Sequence, residues 1–272
     1  MSSTPHAEGP MGGPGAVQAI RSGDVLALRR LLASDPALAT ARVDGSRTLL
    51  HVATDWPGHF PNVAETIAAL VDAGADVNAP FGGDQPEHQE RSEHDEHGEY
   101  DEHGEYDEHG EYDESDERGA RGGHAETPLH WAASSDDVEA LDALLNAGAD
   151  IEARGAVIAG GTALADAVAF AQWEAARRLV ARGAAVEPRH AAALGLLDQV
   201  TVSGQDEVDL AFWYACHGGR RQVAEHLLAR GATVDWVPSW EPLTPLDAAE
   251  RHGFTAVAAW LRSLGAHSYQ DL

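Results

Sequence analysis

The sequence predicts an all-α solenoid of helix–turn–helix repeats that carries one long acidic, disordered insert. Three observations lead there. Residues 127–151, TPLHWAASSDDVEALDALLNAGADI, hold two short apolar-periodic segments separated by an acidic break and closed by a glycine. Stretches of the same form recur at fixed spacing. Between two of them, residues 84–117 place 17 acidic side chains against one arginine, Arg91.

In the best-formed stretch, Thr127 caps a first helix with its hydroxyl, and Pro128 takes the first helical position, where no amide donor is needed. Leu129, Ala132 and Ala133 form one apolar turn. Asp136 and Asp137 break that helix and start a second, whose stripe is Val138, Leu141, Leu144 and Leu145. Gly148 follows where a left-handed helix end favours glycine. Neither helix is long enough to be stable alone, so each pair must pack on its neighbours.

Thr162 and Gly183, and Thr244 and Gly265, are 21 residues apart, as are Thr127 and Gly148. Leu210 and Gly231 keep the spacing without the threonine, and Thr48 and Gly74 are 26 apart. The pattern resembles the ankyrin repeat, in Thr127-Pro128-Leu129-His130, Ala132-Ala133, Leu144-Leu145 and Gly148-Ala149-Asp150. Thr48-Leu49-Leu50-His51 with Gly74-Ala75-Asp76, and Thr244-Pro245-Leu246 with Gly265-Ala266, match as well. Seven units are expected. The first, from Ala16, lacks the threonine motif as a capping unit would, and the fifth, around Ala191, Gly195 and Val200, has lost part of its second helix. The resemblance implies an ankyrin-repeat solenoid with short β-hairpin fingers and places the insert at a fingertip. The expected divisions are a disordered tail (1–15), repeats one and two (16–83), the disordered low-complexity insert (84–123), repeats three to seven (124–268) and a tail (269–272).

The five extra residues of the second unit fall in Asp55-Trp56-Pro57-Gly58-His59-Phe60-Pro61, a loop between its helices. Asn62 stands where a glycine usually precedes the second helix, and asparagine tolerates the left-handed conformation. The insert contains three copies of Asp-Glu-His-Gly-Glu-Tyr, and its composition cannot offset the entropy of ordering.

A net charge of −27 opposes nucleic acid or anionic lipid as a ligand. All 18 basic residues are arginine. The single cysteine, Cys216, excludes an internal disulfide and fits a reducing cytoplasm. The N-terminal residues have neither the basic nor the apolar region of a signal peptide, and no apolar run is long enough to span a membrane. A cytoplasmic monomer is expected.

No enzyme motif emerges. Gly160-Gly161 and Gly218-Gly219 read as repeat-boundary glycines, because a phosphate loop needs a lysine and the chain has none. Cys216 occupies the place of the motif's second alanine, a small buried position, and its neighbour His217 points elsewhere on a helix. His97, His103 and His109 lie six apart among glycines, without the thiolates or close spacing of a zinc site, so no metal and no cofactor are expected. His51 and His130 read as structural, bonding within and between units; Ala165, Trp213 and Asp247 stand in their place elsewhere, so less regular junctions are expected there. Trp131, Trp173 and Trp260 fall on helices as core, whereas Trp56, Trp236 and Trp240 fall in loops.

The resemblance implies a non-catalytic scaffold that binds a protein partner through its concave face. Contacts in that family come from the residue before the motif threonine, here Arg47 and Glu126, and from the end of the first helix, here Asp55, Trp56, Ser134, Ser135, Phe170, His217, Arg251 and His252. Two alternatives stay open: an acidic inhibitor or immunity-type protein that blocks a basic partner, and an enzyme activity in the solenoid groove.

Overall fold

The computed structural model describes residues 13–82, 125–157 and 160–272. The expected insert (84–123) lies outside the described residues, as does the expected tail, except that residues 13–15 open the first helix.

Of the thirteen α-helices among the described residues, twelve form helix pairs. They are α1 (Gly13–Ser22) with α2 (Val25–Ser34), α3 (Leu49–Ala53) with α4 (Val63–Asp72), α5 (Pro128–Ser134) with α6 (Val138–Asn146), and α7 (Ala163–Ala169) with α8 (Trp173–Ala181). Next, α9 (Pro188–Leu194) is followed only by a 3₁₀ turn, Leu197–Gln199, so the fifth unit has lost its second helix. The sixth and seventh units are α10 (Gln205–His217) with α11 (Arg221–Ala229) and α12 (Pro245–Arg251) with α13 (Thr255–Ser263). First helices pack on first helices in sequence, α1 on α3, α3 on α5, α5 on α7, α7 on α9, α9 on α10 and α10 on α12, and α2, α4, α6 and α8 form a second row.

One buried register serves every complete second helix after the first. Thr66, Ile67 and Leu70; Ala140, Leu141 and Leu144; Ala175, Ala176 and Leu179; Val223, Ala224 and Leu227; and Val257, Ala258 and Leu261 all face inward. The shared spacing i, i+1, i+4 is one stripe of a 3.6-residue helix, and repeating it makes one continuous core. First helices bury small residues, such as Ala132, Ala133, Ala215, Cys216, Ala248 and Ala249. Cys216 is thus a small core side chain, and burial pushes its thiol well above the ordinary range.

The corner between the two helices of a unit is left-handed each time. Gly23, Gly219 and Gly253 have φ of 68°, 69° and 71°, while Asn62, Asp136 and Ala171 have 55°, 55° and 57°. Gly218 and Gly219 therefore sit inside the sixth unit and not at a repeat boundary. A Cβ at Gly218 would lie 2.0 Å from the carbonyl oxygen of Ala193, so only glycine admits the approach of α10 to α9.

The fingers are turns. Their only strand-like pairing among the described residues is an isolated antiparallel bridge between Arg42 and Thr48. Side chains tie three fingers to the next: Asn78 accepts from the amide of Asp150 at 2.8 Å, Glu152 from that of Ala185 at 2.7 Å, and Asp235 from that of His267 at 2.8 Å. Helix α10 begins five residues before the expected Leu210. Its added turn carries buried Asp209, which accepts from the amide of Thr233 at 2.6 Å and from Gln205 at 3.0 Å. Among the described residues, no helix is long and apolar enough to cross a membrane.

Candidate functional site

The face of interest is built on side-chain brackets carried by four of the first helices, α3, α5, α10 and α12. The ring of His51 receives the Thr48 hydroxyl and amide at Nδ1, at 2.9 and 3.3 Å, and its Nε2 lies 3.0 Å from the carbonyl oxygen of Glu126 in the next unit. A carbonyl only accepts, so Nε2 carries the proton. His130 repeats the arrangement with Thr127 at 2.9 Å and the carbonyl of Gly161 at 3.4 Å. Burial pushes His51 down to about 4, so both contacts are made by a neutral ring.

Two of the three junctions without histidine, those of Trp213 and Asp247, are more regular than the sequence suggests. Trp213 Nε1 donates to the carbonyl of Leu243 at 3.0 Å, and Leu243, like Glu126 and Gly161, immediately precedes the next motif threonine. Asp247 accepts from the Thr244 hydroxyl at 2.9 Å and from the amide of Tyr269 at 2.8 Å. An indole keeps the inter-unit donor, and a carboxylate reverses its polarity.

The brackets present a row of first-helix ends that carries two hollows. The first, about 240 Å³, is lined by Asp55, Trp56, Glu126, Ser134, Ser135 and Phe170, together with Thr54, Trp131 and Val157. The second, about 310 Å³, is lined by Phe170, Trp213, Tyr214, His217, Trp240, Glu241 and Arg251, with Ala169. Phe170 belongs to both. Six of the ten sequence-predicted residues therefore meet in the first hollow, and Phe170, His217 and Arg251 meet in the second.

The loop that carries Trp56 is docked on both neighbours. The amide of His59 donates to Oδ2 of the buried Asp137 at 2.6 Å, while Oδ1 of Asp137 caps α6 through Ala140 at 3.0 Å. On the other side, Asn62 Nδ2 donates to the carbonyl of Gly23 at 2.9 Å. Trp56 itself stays 80% exposed, and Phe170 and Trp240 are 44% and 54% exposed. Exposed rings on a braced frame are held in place and lose little entropy on any contact they make.

The remaining predicted residues serve behind the surface. Arg47 lies between Asp44 at 2.6 Å and Asp55 at 2.7 Å, which fixes the Asp55 carboxylate. His217 is 1% exposed. It stacks on Trp213 with ring centroids 5.1 Å apart, and its Nε2 donates to the carbonyl of Val168 at 2.9 Å. Burial pushes it down to about 4, with His252 and Arg251 adding to the effect. His252 packs edge-on against it at 4.6 Å. Both rings support the second hollow from below.

Sequence reasoning missed Trp131, Tyr214 and Glu241 as lining residues. Trp131 follows a motif histidine on a helix and so reads as core. It is half-buried, packed 5.1 Å from His51 and 5.5 Å from Phe81, and its Nε1 donates to the Glu126 carboxylate at 3.3 Å. No set of three His, Cys, Asp or Glu side chains able to hold a metal ion occurs among the described residues.

Residues 124–156 match the family model of the ankyrin repeat. No curated protein matches the chain in sequence. Among solved structures, the crystal structure of the human ASB11 ankyrin repeat domain is 21% identical over 93% of this chain and 84% of that one, with a TM-score of 0.46. The matched residues contain α5 and α6, and the same capped helix pair with its left-handed corner recurs before and after them. The third helix pair is thus an ankyrin repeat, and the helix pairs on either side of it are built to the same plan.

Proposed function

We propose that this chain is a protein-interaction scaffold whose concave face, along the ends of the first helices, seats a partner segment. Ankyrin repeats are in general protein-interaction modules, and one observation carries the reading here. Phe170, half out in solvent, is a common wall of two adjoining hollows, flanked by the exposed Trp56 and Trp240. A contiguous line of exposed aromatic surface is what an interface core supplies, because large rigid rings give contact area at little conformational cost. A single extended segment reaches both hollows by straddling Phe170.

The test is positional cross-linking. Phe170 is replaced by photoreactive p-benzoylphenylalanine, and in a second variant the same residue replaces His226 on α11. Each variant is irradiated with a partner obtained by selection on the unmodified chain. The proposal expects capture from position 170 and little from position 226. Capture from 226 alone would reject it.

The net charge of −27 favours a second, narrower version, in which the partner is basic and the scaffold blocks it. Long-range attraction weakens with salt, so that version expects association rates that fall steeply between low and physiological ionic strength. Salt-independent association would remove it and leave the scaffold reading intact.

A further inference from the structure

We infer that the junction between the fourth and fifth units is a hinge, latched by the side chain of His217, and that the second hollow is its mouth. The inference does not depend on what occupies the groove.

Residues 13–186 and 187–272 are two well-tied segments with few ties between them. In the first, the third and fourth units are joined by Gln172, which donates to the carbonyl of Ser134 at 2.8 Å, and by Arg182, which donates to Asp142 at 2.6 Å. The amides of Ala175 and Ala185 donate to Asp136 and Glu152, each at 2.7 Å. In the second, Arg220 donates to the carbonyl of Ala193 at 3.0 Å and Arg230 to that of Val202 at 2.6 Å, so the fifth unit is fastened to the sixth. Between the segments, among the described residues, there is no ion pair. One hydrogen bond crosses: Nε2 of His217 donates to the carbonyl of Val168 at 2.9 Å. It passes over the fifth unit, from the end of α10 to the end of α7. The indole of Trp173 packs edge-on against the same imidazole at 5.6 Å.

The sequence explains why the junction is thinly tied. Ala165 stands at the bracket position of the fourth unit and has no side-chain donor to reach the fifth. The fifth unit has no second helix, so the second row stops at α8 and is not carried on to α11. Helix α9 buries His190 and three alanines, Ala191, Ala192 and Ala193, where α5 buries Leu129 and α10 buries Phe212. Short side chains bury little apolar area and interlock weakly. A single hydrogen bond is a weak tie against thermal motion, because its opened groups can bond to water.

The second hollow lies across this divide. Ala169 and Phe170 belong to the first segment, and Trp213, Tyr214, His217, Trp240, Glu241 and Arg251 to the second. The first hollow lies wholly within the first segment. Bending at the junction therefore changes the width of the second hollow and leaves the first unchanged. Whatever enters the second hollow touches both segments, and so selects one hinge angle from those the chain visits.

The test is double electron–electron resonance on the full chain with paired nitroxide labels on introduced cysteines. Cys216→Ala removes the native thiol and restores the alanine of its motif position. Labels at the exposed Ala181 and Ala229 span the hinge, while Ala68 with Ala181, and Asp198 with Ala259, report on each segment separately. The inference expects the spanning pair to give a distance distribution about twofold wider than either control pair. His217→Phe, which keeps a ring but no donor, should widen the spanning distribution further and leave both controls unchanged. His217→Gln, which keeps an N–H donor, should stay nearer the parent. A spanning distribution in the parent as narrow as the controls would overturn the hinge, whether or not the variants fold. An unchanged spanning width in folded His217→Phe, or equal widening of all three pairs, would overturn the latch.

Discussion

Nε2 of His51 lies 3.0 Å from the carbonyl oxygen of Glu126, 75 residues later in the chain. The same oxygen accepts from the amide of Phe81 at 2.7 Å, so residues on either side of the expected insert meet at one acceptor. Phe81 and Trp131 pack around the ring of His51, with centroids 6.2 and 5.1 Å from it. The bracket that joins the second and third units is therefore also the neck of the insert.

Truncating His51 to alanine should destabilise the chain by about 2–4 kcal/mol, because it opens a cavity and strips a buried carbonyl and a buried hydroxyl of a partner. Trp213→Phe, which keeps one aromatic ring but loses the donor to Leu243 and the volume of the indole's second ring at a buried site, should cost about 1–3 kcal/mol. Urea unfolding followed by circular dichroism measures both. A His51→Ala variant as stable as the parent would show that the bracket is not a source of stability.

These brackets also show how far the sequence could be read. Helix pairs, the degenerate form of the fifth unit and the left-handed Asn62 were legible because apolar spacing and local backbone preference encode them directly; that the fifth unit keeps only a 3₁₀ turn in place of its second helix was not. The role of Trp213 was not, since an indole has no place in the histidine motif, and what matters is that its N–H reaches the carbonyl of Leu243. The early start of α10 was hidden because residues 205–209 show no apolar period; their acidic first turn and the ties of Asp209 hold them helical. At the candidate site, the line of first-helix ends was legible by family register. The lining by Trp131 and Tyr214 was not, because each lies on a helix where core burial is the default.

Removing residues 84–122 should leave the melting temperature nearly unchanged or slightly higher. The neck at Phe81 and Glu126 already closes the loop, and the entropy of loop closure grows slowly with length. The deletion also relieves like-charge repulsion among the acidic side chains. Differential scanning calorimetry of the two chains checks this, and a large drop in melting temperature would mean that the insert packs on the repeats.

Acid should unfold the protein through its buried histidines. His51, His190 and His217 are held down at about 4 by burial, against an ordinary value of 6.5. Between those two values the unfolded chain binds protons that the folded chain does not, so stability falls as pH drops from 6.5 toward 4 and is fully present above 6.5. The loss is up to about 3 kcal/mol per histidine at the acid end. Denaturation midpoints across this range measure it, and His51→Gln should flatten the dependence. A stability that rises on acidification would contradict the neutral-ring brackets.

Ala171 occupies the left-handed corner between α7 and α8 at φ 57°, where glycine stands in three other units. Ala171→Gly should stabilise the chain by about 0.5–1 kcal/mol, the relief of a strained L-residue less the added freedom of the unfolded chain. Thermal unfolding decides the sign, and a destabilised variant would show that the alanine methyl contributes packing greater than its strain.

The central claim is that the aromatic groove along the first-helix ends binds the partner, and affinity measured on alanine variants tests it most directly. With a selected partner, Trp56→Ala and Phe170→Ala should each weaken binding by about 2 kcal/mol or more. Arg221→Ala, on the second-helix side where its guanidinium covers Trp260 at 5.4 Å, should change affinity by no more than a few tenths. Full affinity in folded Trp56→Ala and Phe170→Ala, with loss in Arg221→Ala, would place the binding site on the opposite face and contradict the account.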